Sequence, residues 1–516
     1  MQQTGRVRSD RRTSALRCGA TGLALVALAA CSGGASGSAS GPTGAPSASA
    51  APAPTSTPLP PAAAPDWEPC EDGFECATLA VPLDEDDPAA GSLPLALTRR
   101  PAGDPGARVG SLVVNPGGPG ASAVDFLQAV WPGLPTPLAD RFDLVAFDPR
   151  GVGRSGQVRC GTTAELDGWV ALDPTPDDAA ELDALERGSA ELAAGCAERS
   201  GRVLPHVSTA DAAADLDRVR AAVGDERLTY LGYSYGTALA AAYLDRFPTR
   251  VRAMALDGAL DPALGWDGVL AGQARGFERA FEQFLADCER TRCAYRDAVT
   301  GDLGAAYDRL AARVDRTPLP GSGERTLGPG ELVLGVGQAL YSRTAWPSLG
   351  QALAAAEDGD GSELLALSDS YLDRTSEGYG GITEANLAVN CLDQPWPRER
   401  EPYVALAQRL EADAPRFGEA IALSGLPCAS WPVPPTGRPG AVTGAGAPPV
   451  VVIGTTGDPA TPYAWSVSLA EQLERGVLIT HRGEGHTVYF SGGPACVLDP
   501  VTDHLVTASV PAPTTC

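Results

Sequence analysis

The chain has 516 residues, 44% of them hydrophobic, so it can build one large core with an insertion or second domain and is no small binding module. Its formal net charge is −25 at pH 7, with 64 acidic residues against 39 basic ones, every one of them arginine. Such a polyanion is a poor partner for nucleic acid or an anionic lipid surface.

Residues 1–30 follow the plan of an export signal: arginines at Arg6, Arg8, Arg11, Arg12 and Arg17, then a short apolar run from Leu23 to Ala30. That run ends Leu28-Ala29-Ala30-Cys31, which resembles the bacterial lipobox, so Cys31 is a candidate lipid anchor. An ordinary signal peptide is the alternative; a run this short does not span a bilayer. Arg11-Arg12 leaves the twin-arginine route open beside the general one. Loss of residues 1–30 removes five arginines and one aspartate and leaves a net charge of −29. Residues 31–65 are almost wholly Ser, Gly, Ala, Pro and Thr, a composition that buries no core and predicts an extended tether.

Beyond the tether, short Val/Leu/Ile-rich runs end in turn residues: Ser111–Asn115, Phe142–Asp148, Leu228–Gly232, Ala253–Asp257 and Pro449–Gly454. They read as buried parallel strands, and helical stretches such as Thr209–Val223 between them make the class α/β. The span from Asp257 to Pro449 is too long for one crossover. It predicts a mainly helical cap at 262–445, inserted between core segments 66–261 and 446–516, with helices near Gly276–Cys288, Gly330–Tyr341 and Leu349–Glu357. Ligands on such sheets gather beyond the carboxyl ends of the strands.

Candidate chemistry falls at those ends. Asn115-Pro116-Gly117-Gly118-Pro119-Gly120 follows the first strand and exposes amide donors; Gly118 N–H with Tyr235 N–H is the candidate oxyanion pair. Asp148 and Arg150 close the next strand and are expected to pair as a buried brace. Ser155 lies in the same turn but lacks the trailing glycine of a nucleophile motif. Gly232-Tyr233-Ser234-Tyr235-Gly236, between a strand and the helical Thr237–Leu244, is the only G-x-S-x-G in the chain and makes Ser234 the candidate nucleophile. The acid is expected between serine and histidine. Asp458, just past the strand Val450–Ile453, is preferred, with Asp257 competing. Of the four histidines, His206, His481, His486 and His504, the best base is His486, in the loop Gly483–Thr487, and His481 reads as structural.

Setting aside Cys18 and Cys31, ten cysteines remain, an even number that in an exported protein predicts disulfides. Proximity favours Cys70 with Cys76, Cys160 with Cys196, Cys288 with Cys293, Cys391 with Cys428, and Cys496 with Cys516. No C-x-x-C occurs and histidine is scarce, so neither metal nor cofactor is expected.

From Trp67 to Cys516 the chain resembles the secreted actinobacterial tripeptidyl aminopeptidases of the α/β-hydrolase superfamily, relatives of the prolyl aminopeptidases. The resemblance is carried by Cys76–Asp84, the Asn115–Gly120 loop, the Asp148–Ser155 turn, Gly232–Thr237, Cys391-Leu392-Asp393, Cys428–Pro432, Asp458–Pro462 and Gly485-His486-Thr487. It implies a serine exopeptidase that releases short peptides, typically tripeptides, from free amino termini, with an acidic capped pocket for the substrate ammonium. Asp393 is one candidate anchor. The chain departs from the pattern at Ala121-Ser122-Ala123, where relatives often carry Gly-Ser-Gly, which puts specificity in question more than chemistry. An esterase or lipase using the same triad is the rival function, and a non-catalytic envelope lipoprotein is a third.

Overall fold

The computed structural model describes residues 64–516. The expected signal segment, almost all of the tether and Cys31 lie outside the described residues. Seven strands precede the long insertion: β1 (Glu68–Pro69), β2 (Glu75–Pro82), β3 (Ser92–Arg100), β4 (Gly110–Asn115), β5 (Phe142–Phe147), β6 (Leu228–Tyr233) and β7 (Val251–Asp257). The insertion carries two short hairpins, β8 (Leu319–Pro320) with β9 (Thr326–Leu327) and β10 (Arg374–Thr375) with β11 (Gly378–Tyr379). After it come β12 (Val450–Gly457), β13 (Gly476–Glu484) and β14 (Thr514–Thr515).

Ten of these strands form one sheet in the order β1-β2-β3-β5-β4-β6-β7-β12-β13-β14. From β5 to β14 the neighbours run parallel, whereas β1, β2 and β3 extend the sheet antiparallel. Burial explains the two halves. All six residues of β4 and of β6 are buried, as a strand covered on both faces requires. β2 and β3 alternate instead, with Leu79, Val81, Leu93, Leu95 and Leu97 turned into the core. The five strands expected from apolar runs are all present; β2 and β3, with period-two patterns, were not singled out.

The helix Thr209–Ala222 starts at Ser208, whose hydroxyl accepts the Asp211 N–H, and packs under the sheet through Ala212, Ala213, Leu216 and Val219. Residues 262–445 are mainly helical, from Trp266–Thr291 through Ile382–Asp393 to Leu426–Ala429. They have a core of their own, including Phe277, Phe281, Phe284, Tyr307 and Leu310. A second cluster joins them to the segment between β5 and β6: Val158, Leu166, Val170 and Leu192 pack with Leu372, Tyr379, Ala388 and Leu392. The helices Thr163–Val170 and Ala179–Ser200 therefore pack against residues 372–431 of the insertion, although they precede β6 in the chain. All five proximity-favoured cysteine pairs are bonded, Cys496–Cys516 among them. Among the described residues no helix is long and apolar enough to cross a membrane.

The expected Asp148–Arg150 pair does not form. Arg150 instead makes a bidentate pair with Asp215 of the Thr209–Ala222 helix, Nε to Oδ2 at 2.7 Å and Nη2 to Oδ1 at 2.9 Å, and donates to the Leu83, His206 and Pro82 carbonyls. Asp148 accepts from Ser122 Oγ, Val124 N–H and Arg154 N–H, holding the turn after β5 to the start of the helix Ala123–Val130. A guanidinium offers five donors in a fixed fork; two meet the Asp215 carboxylate and three meet backbone carbonyls, a set that the adjacent Asp148 could not supply. Arg150 and Asp215 are both fully buried, and Asp215 keeps only Arg218 Nη1 at 3.0 Å when Arg150 is lost, so Arg150→Ala, which also leaves three carbonyls without their donor, should lower unfolding stability by about 3 kcal/mol, read by chemical denaturation.

Candidate active site

Ser234 stands between β6 and the helix Tyr235–Arg246 with φ +53° and ψ −124°, a backbone conformation that costs a serine about 1–3 kcal/mol unless its surroundings enforce it. They do so here. Its N–H donates to the Asp257 carbonyl at 2.9 Å, and its carbonyl accepts the Thr237 hydroxyl at 2.6 Å. The flanking glycines are steric requirements: a Cβ on Gly232 would lie 2.7 Å from the Gly236 carbonyl oxygen, and one on Gly236 would lie 2.8 Å from that of Asn115. Ser234 Oγ has no hydrogen-bond partner among the described residues, and the side chain is partly open.

His486 follows β13. Its Nδ1 lies 2.9 Å from both carboxylate oxygens of Asp458, which is buried in the turn after β12. Asp458 is further fixed by the Ala460 and Thr461 N–H groups and the Thr461 hydroxyl, which also sits 3.3 Å from His486 Nδ1. Burial pulls the imidazole pKa down, but the adjacent Asp458 charge and hydrogen bond outweigh it, and the net shift is upward. With Nδ1–H donated to Asp458, Nε2 is the nitrogen left to accept a proton.

The competing assignments separate cleanly. Asp257 ends β7 beside these groups, yet its Oδ2 accepts the Val488 and Tyr489 N–H groups rather than the imidazole. His481 lies within β13, and its Nδ1 has no partner among the described residues. His504 bonds the Ser509 carbonyl, and His206 faces Asp84 at 4.0 Å.

The Asn115–Gly120 loop lies against this elbow. Gly117 has φ +96°, and a Cβ there would sit 2.5 Å from the Tyr233 carbonyl oxygen and 2.8 Å from Tyr235 N. Gly118 is exposed, and neither its N–H nor that of Tyr235 has a protein acceptor among the described residues. The loop thus brings Gly117 against the Ser234 side chain, and the Tyr235 N–H next to it in the chain is a free backbone donor.

The insertion touches these parts at three points. The helix Ile382–Asp393 crosses the loop, with Asn386 Nδ2 donating to the Pro119 carbonyl at 3.2 Å. At its end Asp393 accepts the Thr209 N–H at 2.9 Å and the Thr209 hydroxyl, and that hydroxyl meets Tyr235 OH at 2.6 Å. Tyr341 accepts the His486 N–H at 2.8 Å and sets its ring edge-on to the imidazole. Thr461 and Tyr341 were missed from sequence. Thr461 carries a faint signal, a hydroxyl three residues after Asp458, whereas nothing in the chain marks Tyr341. Phe126, Tyr233 and Phe490 cluster beside the elbow as an aromatic wall.

A serine on a strand-to-helix elbow, an imidazole paired to a buried carboxylate and a glycine loop with free amides define a hydrolase site on an α/β sheet. Comparison with known proteins agrees: the family model described as alpha/beta hydrolase fold matches residues 110–317, and that described as TAP-like protein matches residues 414–516. Serine protease Hip1 of Mycobacterium tuberculosis is 40% identical over 86% of this chain and 89% of its own. Carboxylesterase B of the same organism is 40% identical over 88% and 90%, and tripeptidyl aminopeptidase of Streptomyces lividans 34% identical over 87% and 85%. The chain belongs to the TAP-like branch of the α/β-hydrolase family and is a serine hydrolase.

Two outcomes are expected. Gly117→Ala should push the loop off the elbow and lower kcat about 100-fold, in steady-state assays, with the protein still folded. The His486 pKa lies above its ordinary value of 6.5, and a general base works only when neutral, so kcat/KM should fall as pH drops through a value above 6.5. A pH–rate profile checks this, and Asp458→Asn, which removes the charge that raises the pKa, should move the limb down while cutting kcat by about 10⁴.

Proposed function

We propose that the protein is an exported serine exopeptidase that removes short peptides, tripeptides foremost, from free amino termini. The observation that carries the chemistry is the His486–Asp458 pair beside the Ser234 elbow. Ser234 Oγ attacks the scissile carbonyl and passes its proton to His486 Nε2, while Asp458 holds the ring and stabilises the imidazolium. The oxyanion is received by the Gly118 and Tyr235 N–H groups, each such donor being worth about 3 kcal/mol in the transition state. His486 then protonates the leaving amine, and water activated by the same base frees the peptide from Ser234.

The cap and the relatives support the exopeptidase reading. A roof that touches the glycine loop, the His486 backbone and Thr209 beside Tyr235 leaves room for a chain end more readily than for a continuous polypeptide. Asp393 is the proposed ammonium anchor; Thr209 uses two of the roughly four acceptor positions of its carboxylate. Burial lifts its pKa to about 6. Below that pH the carboxyl is neutral and its attraction for an ammonium is lost, so KM for a free-amine tripeptide should rise below about pH 6 while KM for an ester does not.

The esterase reading remains in play because a relative of equal identity is named carboxylesterase B. A matched set decides between them: a chromogenic tripeptide with a free amino terminus, its acetylated twin, an aminoacyl analogue and a short acyl ester, each with wild type and Ser234→Ala. Serine-dependent cleavage of the free tripeptide with little action on its twin is the expected result. Ester cleavage alone would move the protein to the esterases, and no turnover at all would favour a binding lipoprotein. Membrane attachment is proposed to run through an acylated Cys31, so Cys31→Ser should release the protein from a membrane fraction.

A further inference from the structure

Asp257 touches both halves of the machinery. Its carbonyl oxygen accepts the Ser234 N–H at 2.9 Å, and its Oδ2 accepts the N–H groups of Val488 at 2.8 Å and Tyr489 at 2.7 Å, just beyond His486. The next residue, Gly258, runs so close to the imidazole that a Cβ there would lie 3.2 Å from His486 Cε1. Between His486 and the two amides the chain turns at Thr487 with φ +60°. A β-branched residue takes that conformation only where its surroundings hold it. The two amides bound to Asp257 are the hold on its far side.

We propose that Asp257 is a positioning residue: its carboxylate clamps the segment Thr487–Tyr489, and through it the His486 ring, to the strand end that fixes the Ser234 backbone. The inference rests on the Ser234–His486–Asp458 reading and assigns Asp257 no proton transfer. Asp458 already takes His486 Nδ1 with both oxygens, so a second orienting acid would have no nitrogen to hold. The groups facing Asp257 are Tyr233 from β6, Asp458 from the turn after β12, and His486 from the loop after β13. Burial lifts its carboxyl to about 6 against the pull of the two amide donors and His486. Ionised, it adds to the upward shift of the imidazole.

Position and charge are separable by substitution. The test uses the whole protein and reads the rate of Ser234 labelling by a fluorophosphonate across pH, which requires no peptide substrate, with thermal unfolding in parallel. Asp257→Asn keeps an oxygen that accepts from both amides and removes the charge. It should be labelled within about fivefold of the wild-type rate, with the governing pKa moved down because one of the charges that raise it is gone. Asp257→Ala leaves both amides without their acceptor and frees the Thr487 turn. It should stay folded and be labelled about 100-fold more slowly. Labelling of Asp257→Ala within fivefold of wild type overturns the clamp. So does Asp257→Asn as slow as Asp458→Asn, which would make Asp257 the orienting acid. If Asp257→Ala does not fold, Asp257→Asn alone decides, and labelling more than about fivefold slower than wild type overturns the proposal. Wild type that is not labelled at Ser234 would instead sink the triad reading, and blocked-peptide preference would sink only the exopeptidase one.

Discussion

A serine held in left-handed backbone is the constraint on which the rest of the structure depends. Ser234 has φ +53°, and nothing local to a serine favours that conformation over ordinary helix or strand. It persists because β6 is fully buried and paired on both sides, because the Asp257 carbonyl takes its N–H, and because Gly232 and Gly236 leave room for the backbone to fold back on itself. The result is a hydroxyl held out from the carboxyl end of the sheet, which is where the glycine loop, Asp458 and His486 also arrive.

The second determinant is electrostatic. Asp458 is buried with four protein donors around it besides the imidazole, so its charge is delivered to His486 with little competition from water. The cap then meets each functional part at a separate point: Asn386 at the glycine loop, Tyr341 at the His486 backbone, and Asp393 through Thr209 at Tyr235. Beneath, the Arg150–Asp215 pair ties the turn after β5 to the helix that begins at Thr209. A shift of the insertion would therefore be felt at the glycine loop, at His486 and, through Thr209, at Tyr235 together.

Much of this was legible because the parallel strands have to be continuously apolar and their loops have to carry the chemistry. The runs before Asn115, Gly232, Asp257 and Gly454 were read within a few residues of the strands, and so were the turns that carry Ser234 and, far later in the chain, the Asp458–His486 pair, whose members are 28 residues apart. What escaped depended on partners remote in sequence. Arg150 was matched to the nearest carboxylate, whereas buried guanidinium geometry selected Asp215 on a helix 65 residues away. The strands Glu75–Pro82 and Ser92–Arg100 alternate with polar and proline positions, a weaker signal than an unbroken apolar run. Helices Thr163–Val170 and Ala179–Ser200 were assigned to the core by chain position, yet they pack with residues 372–431. Tyr341 acts through its backbone carbonyl, and no side-chain pattern announces that.

The most direct test is to mix enzyme with a free-amine tripeptide ester or anilide for one turnover, quench in acid and map the adduct by mass spectrometry. The account predicts a single tripeptidyl acyl group, on the peptide containing Ser234, and no such adduct from the acetylated twin. An acyl group on any other residue, or rapid turnover with no covalent adduct at any quench time, would contradict it.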